Sequence, residues 1–162
     1  MKRSKFLVII IAILAVFVGG IMMYANSHRT LGDVMKAEKF GEWLYLGRSE
    51  IENGDWDFRS GHVDQQEDIQ KIVEILTETE ISFQKFEWWT TTDLGIDGNA
   101  WYEVDDLSLG TWVQIVNNGE VHAGFPIHSI YQIETVYEIS DTEWQECADV
   151  LEEILQKYET EL

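Results

Sequence analysis

An uninterrupted apolar stretch near the N-terminus is the clearest pattern in the chain, because residues 6–24 contain no charged side chain. Three basic residues lie just before it, within residues 1–5. At about 1.5 Å of helical rise per residue the stretch reaches roughly 28 Å, close to the thickness of a bilayer's hydrocarbon core. Basic residues beside a span stay cytoplasmic. The pattern therefore predicts a transmembrane helix over residues 6–24, a linker over residues 25–30 and an extracytoplasmic domain over residues 31–162.

A cleaved signal peptide is the alternative interpretation of the same stretch. Signal peptides combine a basic start with an apolar run of about 7–15 residues and a small-residue cleavage site. Small residues around Ser27 offer such a site, so a secreted protein cleaved near Ser27 is the second possibility. The length of the apolar run favours the uncleaved anchor.

Two amphipathic helices are predicted in the external domain. In residues 65–79 apolar side chains recur at helical spacing, and Asp64 followed by Glu67 resembles a capping box. The second helix begins at a capping box formed by Ser140 and Glu143, and a stripe of apolar residues runs along it. Both apolar stripes are predicted to pack in the core.

Aromatic and β-branched residues between these helices predict strands that pair antiparallel. The predicted strands cover residues 43–46, 81–92, 101–104, 108–116, 121–125, 129–133 and 135–139. A short helix is predicted over residues 31–39, and a turn-rich acidic loop through residues 53–55. An antiparallel sheet with the two main helices packed on one face buries the apolar surfaces together, so the predicted fold class is α+β.

Asn118-Gly119 is the strongest turn signal in the chain, because both central positions of a type I′ turn need positive φ. A two-residue turn there pairs Val116 with Val121. With strand alternation, that register puts Val116 and Val121 on the core side, and Ile115 and His122 on the side that meets water.

Acidic residues dominate the external domain, which holds all 30 Asp and Glu but only 8 of the 11 Lys and Arg, a formal charge of −22. Nucleic acid and anionic lipid headgroups are excluded as partners, because their phosphates would be repelled. Cationic partners and divalent cations fit this charge, which also favours solubility. Cys147 is the only cysteine. It lies on the apolar stripe of the last helix and is predicted to be a buried structural thiol.

A loop with Asp93, Asp97 and Asn99 is the weak metal candidate, because calcium prefers such oxygen ligands. The EF-hand pattern fails, since its twelfth position is Val104 and not Glu. A plain hairpin loop explains the same residues, as Asp, Asn and Gly favour turns. The histidines show no spacing typical of metal ligands, so neither a tri-histidine site nor a cofactor is predicted; they include His62, His122 and His128.

Known catalytic motifs are absent from the sequence. Asp105-Asp106 is the main candidate for a catalytic carboxylate pair, but acid–base work needs two carboxylates at a set separation with split pKa values. With 30 acidic residues, adjacent pairs are expected by chance. No catalytic residue is therefore predicted.

Tryptophan is unusually frequent, with seven residues, and the adjacent Trp88 and Trp89 cannot both face the core of a strand. An exposed aromatic residue beside acidic loops is typical of a surface that binds a peptide, a glycan or a protein. The candidate binding face therefore comprises Trp88, Trp89, Trp101, Asp105 and Asp106. Packing within the core or at a sheet edge is the alternative role of these rings.

Four segments carry a family resemblance, namely residues 31–35, 63–76, 109–121 and 131–140, together with the N-terminal span. They resemble small uncharacterised ectodomains of Gram-positive bacteria that are held by a membrane anchor or a lipoprotein signal. The resemblance implies an extracytoplasmic domain of unknown function and transfers no catalytic or binding residue. The lipoprotein cysteine common in such proteins is missing here.

These observations together predict a single-pass, membrane-anchored binding or interaction module of the cell envelope that is not an enzyme. Its partners are the membrane, through residues 6–24, and an envelope protein or ligand, but not nucleic acid. An acidic inhibitor or immunity-type protein that neutralises a basic partner is the alternative. A carboxylate-based envelope hydrolase is the third hypothesis.

Overall fold

One antiparallel sheet and a layer of helices make up the structure, a computed structural model that describes residues 2–25, 27, 29–90, 100–128 and 131–159. The helices are α1 (Lys2–Ala25), α2 (Leu31–Met35), α3 (Gln66–Glu78) and α4 (Asp141–Tyr158), with a 3₁₀ turn at Ala37–Lys39. The strands are β1 (Leu44–Glu52), β2 (Asp55–Val63), β3 (Ser82–Thr90), β4 (Ala100–Asp106), β5 (Thr111–Val116), β6 (Glu120–His128) and β7 (Tyr131–Glu138). The predicted α+β class is confirmed.

The seven strands form a sheet of order β2-β1-β4-β5-β6-β7-β3, in which every neighbouring pair is antiparallel. Strands β2 and β3 are its edges. Strand β4 lies between β1 and β5. The β1–β2 hairpin forms one end of the sheet, and the β6–β7 hairpin lies near the other end.

The core lies on one face of the sheet, where alternate strand residues meet α3 and α4. Fully buried apolar side chains from both layers form one cluster, which includes Leu46, Val104, Ile115, Leu76 and Leu151. The apolar stripes predicted for the two helices are confirmed, and Cys147 is buried on the stripe of α4 as expected. Apolar burial at about 25 cal/mol per Å² is the main stabilising contribution in such a cluster.

Helix α4 is also held to the sheet by a carboxylate. Glu152 accepts two hydrogen bonds from the Arg59 guanidinium, at 2.9 and 3.0 Å, and one from the Tyr102 hydroxyl at 2.7 Å. Burial opposes ionisation of this carboxyl, but the hydrogen bonds from Arg59, Tyr102 and Gln156 outweigh it and lower the pKa of Glu152 to about 2. The ionised carboxylate therefore bridges α4, β2 and β4.

Local capping signals were partly correct. Ser140 and Glu143 form the predicted capping box of α4, with the Glu143 amide donating to Ser140 Oγ at 3.2 Å. The predicted start of α3 was wrong, because the N-cap is Gln65 and makes no side-chain capping bond. The predicted short helix over residues 31–39 is interrupted at Lys36, whose φ of 54° separates α2 from the 3₁₀ turn.

The predicted register of the β5–β6 hairpin was wrong by one residue. Gly119 has positive φ and its amide bonds to the carbonyl of Val116, so the loop has three residues instead of two. Ile115 consequently pairs with Val121, and these two face the helices. A slip of one residue exchanges the faces of β5, so Ile115 and not Val116 faces the helices. His122 points away from the helices as predicted, but it is buried there and not in water.

The type I′ geometry occurs instead at Asn53-Gly54, where both residues have positive φ, 54° and 87°. The predicted acidic loop there is therefore the tight turn of a long hairpin, in which Glu52 pairs with Asp55. Strand β2, which this turn creates, was not predicted.

Helix α1 precedes the sheet, and its side chains from Leu7 to Gly20 are exposed. Within the part of the chain that the structure describes, no helix combines the length and the sustained apolarity that crossing a membrane requires.

Candidate binding surface on the sheet face opposite the helices

The sheet face that points away from the helices carries polar and aromatic side chains in register across neighbouring strands. Tyr45 on β1 pairs with Asp105 on β4, which pairs with Trp112 on β5. In the next row, Glu103 on β4 pairs with Gln114 on β5. We call this group the acid–aromatic surface; its members are Tyr45, His62, Glu103, Asp105, Trp112 and Gln114.

Tyr45 lies flat along its own strand because Gly47 leaves room for the ring. A Cβ built on Gly47 would lie 3.2 Å from both Cε1 and the hydroxyl oxygen of Tyr45. The ring therefore places its hydroxyl over Gly47, whose register partners are Ser60 on β2 and Glu103 on β4. Burial raises the pKa of Tyr45, a hydrogen bond with Ser60 opposes the rise, and the charges of Glu103 and Asp105 add to it.

Glu103 and Asp105 are two carboxyls on the same face of β4. Two residues along a strand separate them by roughly 7 Å at their Cα atoms. Both are half-buried, and Glu103 accepts a hydrogen bond from Gln114 Nε2 at 3.2 Å. Among the described residues, neither carboxyl has a Lys, Arg or His partner within salt-bridge distance.

The electrostatics of the pair follow from that geometry. Burial raises the pKa of Glu103, and the hydrogen bond from Gln114 only partly offsets it. Burial also raises the pKa of Asp105 to about 6, with further contributions from the charges of Glu103 and Asp106. A positive charge placed between Glu103 and Asp105 would relieve this unfavourable energy.

An aromatic wall borders the carboxyl pair. The His62 ring meets the Tyr45 ring edge-on, with centroids 6.0 Å apart, and the Trp43 ring packs against His62 at 5.3 Å. Trp43 and His62 are exposed. They also line an open groove whose other residues are Phe40, Gly41, Glu42, Asp64 and Gln66. Aromatic rings beside carboxylates are suited to hold a cation, through cation–π contact on one side and charge on the other.

Of the predicted binding-face residues whose side chains the structure describes, Asp105 alone belongs to the acid–aromatic surface. Trp101 shares that sheet face but is 6% exposed, with its ring packed against Trp56 at 5.9 Å. Trp88 and Trp89 belong to β3, and their side chains lie outside the part of the structure that is described.

Asp106 has a structural role instead. It is 1% exposed and points to the opposite face from Asp105, where Oδ2 accepts from the Gly41 amide at 3.0 Å. Oδ1 accepts from the amides of Ser108 and Leu109, at 2.8 and 3.1 Å. Burial opposes ionisation, but the hydrogen bond from the Ser108 hydroxyl and those from the three amides outweigh it and hold the pKa of Asp106 below its ordinary value. Asp105 and Asp106 therefore cannot act as a carboxylate pair on one substrate.

The metal candidates of the sequence, Asp93, Asp97 and Asn99, lie outside the described residues. The described ranges contain no group of three His, Cys, Asp or Glu side chains placed to hold a metal ion. His122 is buried beside Glu120, with Nε2 3.6 Å from Oε2, and is remote in the sheet from His62 on β2.

Sequence reasoning missed five members of the surface, namely Tyr45, His62, Glu103, Trp112 and Gln114. The available signal was the alternation of Glu103 and Asp105 on a short strand, which places both carboxyls on one face. The chain matches no family model, no curated protein and no solved structure. The chemistry of the acid–aromatic surface therefore carries the functional interpretation.

Proposed function

We propose that this protein is a membrane-anchored, extracytoplasmic binding module that holds a cationic group of an envelope partner on its acid–aromatic surface. One observation carries the proposal: Glu103 and Asp105 share a sheet face, half-buried and without a basic partner among the described residues, beside Tyr45 and His62. The proposed role is recognition without catalysis.

The chemistry of the surface selects for positive charge. Burial raises the pKa of both carboxyls, and the charge of Glu103 raises that of Asp105 further. Such carboxyls gain most from a cation, because the ligand stabilises their ionised forms. The Tyr45 and His62 rings add apolar walls to which a lysine stem or an alkylammonium group can pack. A neutral ligand would leave the charges of Glu103 and Asp105 uncompensated.

The proposed anchor is α1. Its sequence is apolar over residues 6–24. The 24-residue helix has exposed side chains such as Val16 and Met23, each 77% accessible. Such an apolar helix is costly to leave in water, and a lipid environment removes that cost.

The domain's formal charge of −22 supports a cationic partner at longer range. A field of this sign speeds encounter with basic proteins and repels nucleic acids and anionic headgroups. With the anchor in place and the basic N-terminus in the cytoplasm, the field would act outside the cell.

Site-specific photocrosslinking in native membranes tests this function. A photoreactive residue replaces Trp112 at the border of the surface in the full-length protein, and a matched one replaces Glu78, which is exposed on α3. We expect an envelope component to crosslink at position 112 and not at position 78.

The double variant Glu103→Gln with Asp105→Asn then removes the charge while keeping side-chain size. We expect it to reduce the yield at position 112 by about tenfold, as loss of close charge pairs does in other complexes. Equal crosslinking at both positions, or a yield unchanged by the double variant, would refute the proposed surface.

An acidic inhibitor or immunity-type protein is the second candidate function, favoured by the same charge of −22. In that case binding depends on the field of the whole domain and weakens steeply as salt is added. The captured partner would also lose its enzymatic or toxic activity when bound. A complex that tolerates salt and leaves its partner active supports the binding module instead.

A further inference from the structure

The two edges of the sheet differ in how they are protected. Edge strands expose unpaired backbone groups, and proteins commonly block them with bulges and lysine residues. Strand β3 has both devices, since its register shifts between Phe83 and Lys85. Strand β2 pairs with β1 over nine consecutive residues without a bulge, and it contains neither lysine nor proline. Within the part of the chain that the structure describes, β2 is therefore a regular edge with no strand on its outer side.

The outward-facing backbone groups of β2 follow from its turn. In a two-residue hairpin the closing pair, here Glu52 and Asp55, exchanges hydrogen bonds, and bonded pairs then alternate along the ladder. The intervening residues direct their N–H and C=O groups away from β1. Those residues are Trp56, Phe58, Ser60 and His62.

The outer half of β2 alternates acidic and aromatic side chains. Asp55 and Asp57 are exposed on the helix side, while Trp56 and Phe58 are 58% and 44% exposed on the other side. Arg59, the one basic residue of this strand, is engaged by Glu152 and Glu159 at 2.9 and 3.1 Å. It leaves both aspartates uncompensated.

We infer that the outer edge of β2 binds an extended segment of a partner protein whose side chains alternate basic and apolar. Such a segment would add as an eighth strand, with its backbone bonded to the outward groups of β2. Its basic residues would lie opposite Asp55 and Asp57, and its apolar residues opposite Trp56 and Phe58. The inference rests on the proposed function only in taking the partner to be cationic.

Charge favours a basic partner segment over two other possible occupants of the β2 edge, a second copy of the chain and an anionic membrane. A second copy of the chain would place the same Asp-Trp-Asp-Phe pattern against β2, between domains that each carry −22. An anionic membrane surface would be repelled by Asp55, Asp57 and the neighbouring Glu50 and Glu52. A segment of alternating lysine and apolar residues matches both faces of the strand.

Fluorescence anisotropy with a labelled peptide of alternating lysine and valine tests the inference, using full-length protein in detergent micelles. We expect this peptide to bind, and a peptide of alternating glutamate and valine not to bind. Asp57→Lys is expected to weaken binding about fivefold, whereas Glu78→Lys, the same charge change on α3, leaves it unchanged. Equal effects of these two variants would mean that net charge alone holds the peptide and would overturn the inference.

Backbone pairing is tested by Phe58→Pro, which removes an outward N–H without breaking the ladder with β1. We expect this variant to keep its circular dichroism and melting temperature and to lose the lysine–valine peptide. In the native protein, hydrogen exchange should slow at Trp56, Phe58 and Ser60 when the peptide binds. Unchanged hydrogen exchange at these residues would contradict the inference. So would self-association of the protein at the concentrations used, or binding to anionic vesicles in place of the peptide.

The two proposals fail separately. Glu103→Gln with Asp105→Asn alters the acid–aromatic surface and leaves the β2 edge intact, so it should not affect the lysine–valine peptide. If the peptide still binds to this double variant and nothing crosslinks at position 112, the β2 edge remains as the binding site and the acid–aromatic surface is rejected. If the peptide does not bind but a component crosslinks at position 112, the β2 edge is rejected.

Discussion

Asp105 and Asp106 are neighbours in the chain but are placed in opposite environments by strand alternation. Asp105 is half-buried near Glu103, and its pKa is raised to about 6. Asp106 accepts backbone hydrogen bonds from three residues, and its pKa is lowered. The folded protein therefore binds a proton at Asp105 more tightly than the unfolded chain does, and at Asp106 less tightly.

Amide substitution of these two residues should change stability in opposite directions. The contribution of Asp105 is present in acid and is lost as pH rises through about 6, so Asp105→Asn raises the melting temperature at neutral pH and has little effect near pH 4. The contribution of Asp106 is present at neutral pH and is lost as pH falls through its lowered pKa. Asp106→Asn should therefore destabilise the neutral protein by about 1–3 kcal/mol.

Thermal melts of both variants across the acid and neutral range give the check. The wild-type protein is the reference at each pH. Shifts of the same sign for Asp105→Asn and Asp106→Asn at neutral pH would contradict the assignment of the two side chains to different environments.

The sequence was sufficient to select Asp105 but not the residues around it. Glu103 and Asp105 alternate within one strand, so their common face is a local property. Tyr45 and Gln114 reach the carboxyls only because β1 and β5 flank β4 in a particular register. That register depends on turn geometry and on the packing of α3 and α4, which no local pattern encodes.

At the scale of elements, local signals gave reliable predictions where a few side chains decide the structure. The capping box of α4 and the stripes of both main helices are of this kind. The two Asn-Gly dipeptides were harder, because Asn118-Gly119 and Asn53-Gly54 look alike in sequence. Only the second has positive φ at both residues. This difference produces β2 and exchanges the predicted faces of β5.

The contact between α4 and β2 is close enough to test with one methyl group. A Cβ on Gly61 would overlap the backbone carbonyl of Tyr158. Backbone atoms cannot move aside as the end of a flexible side chain could. We expect Gly61→Ala to lower the free energy of unfolding by about 1–3 kcal/mol, since overpacking at a backbone contact displaces the helix. Chemical denaturation measures the change.

Asp57→Ala is the matched control for this variant, because Asp57 lies on the same strand and the same face but is exposed. Its effect should stay within about 0.5 kcal/mol, as for most surface substitutions. A loss at Gly61→Ala no larger than that of the control would show that α4 does not pack tightly over β2.

At the scale of the whole molecule, the charge and the proposed anchor define where the two proposed surfaces would act. If the domain lies close to a bilayer, its formal charge of −22 repels anionic headgroups. The same charge attracts cationic partners, whether they are soluble or membrane-bound. The basic residues at the start of α1 favour a cytoplasmic N-terminus. Both proposed surfaces would then face the exterior.

Protease treatment of intact cells checks this orientation. We expect the domain to be digested while cytoplasmic proteins survive, and a reporter fused after residue 162 to be active only outside the cytoplasm. A protected domain, or a reporter active in the cytoplasm, would contradict both the anchor and the proposed role in the envelope.

The most direct test of the acid–aromatic surface is a carboxyl NMR titration of Asp105 in the full-length protein. Without a partner, the pKa of Asp105 should be about 6, and it should fall when the envelope component captured at position 112 is added, because a bound cation stabilises the ionised form. A pKa near the ordinary value of about 4 in the free protein would show that this carboxyl is already solvated or paired. That result would contradict the proposal that the acid–aromatic surface binds a cationic group.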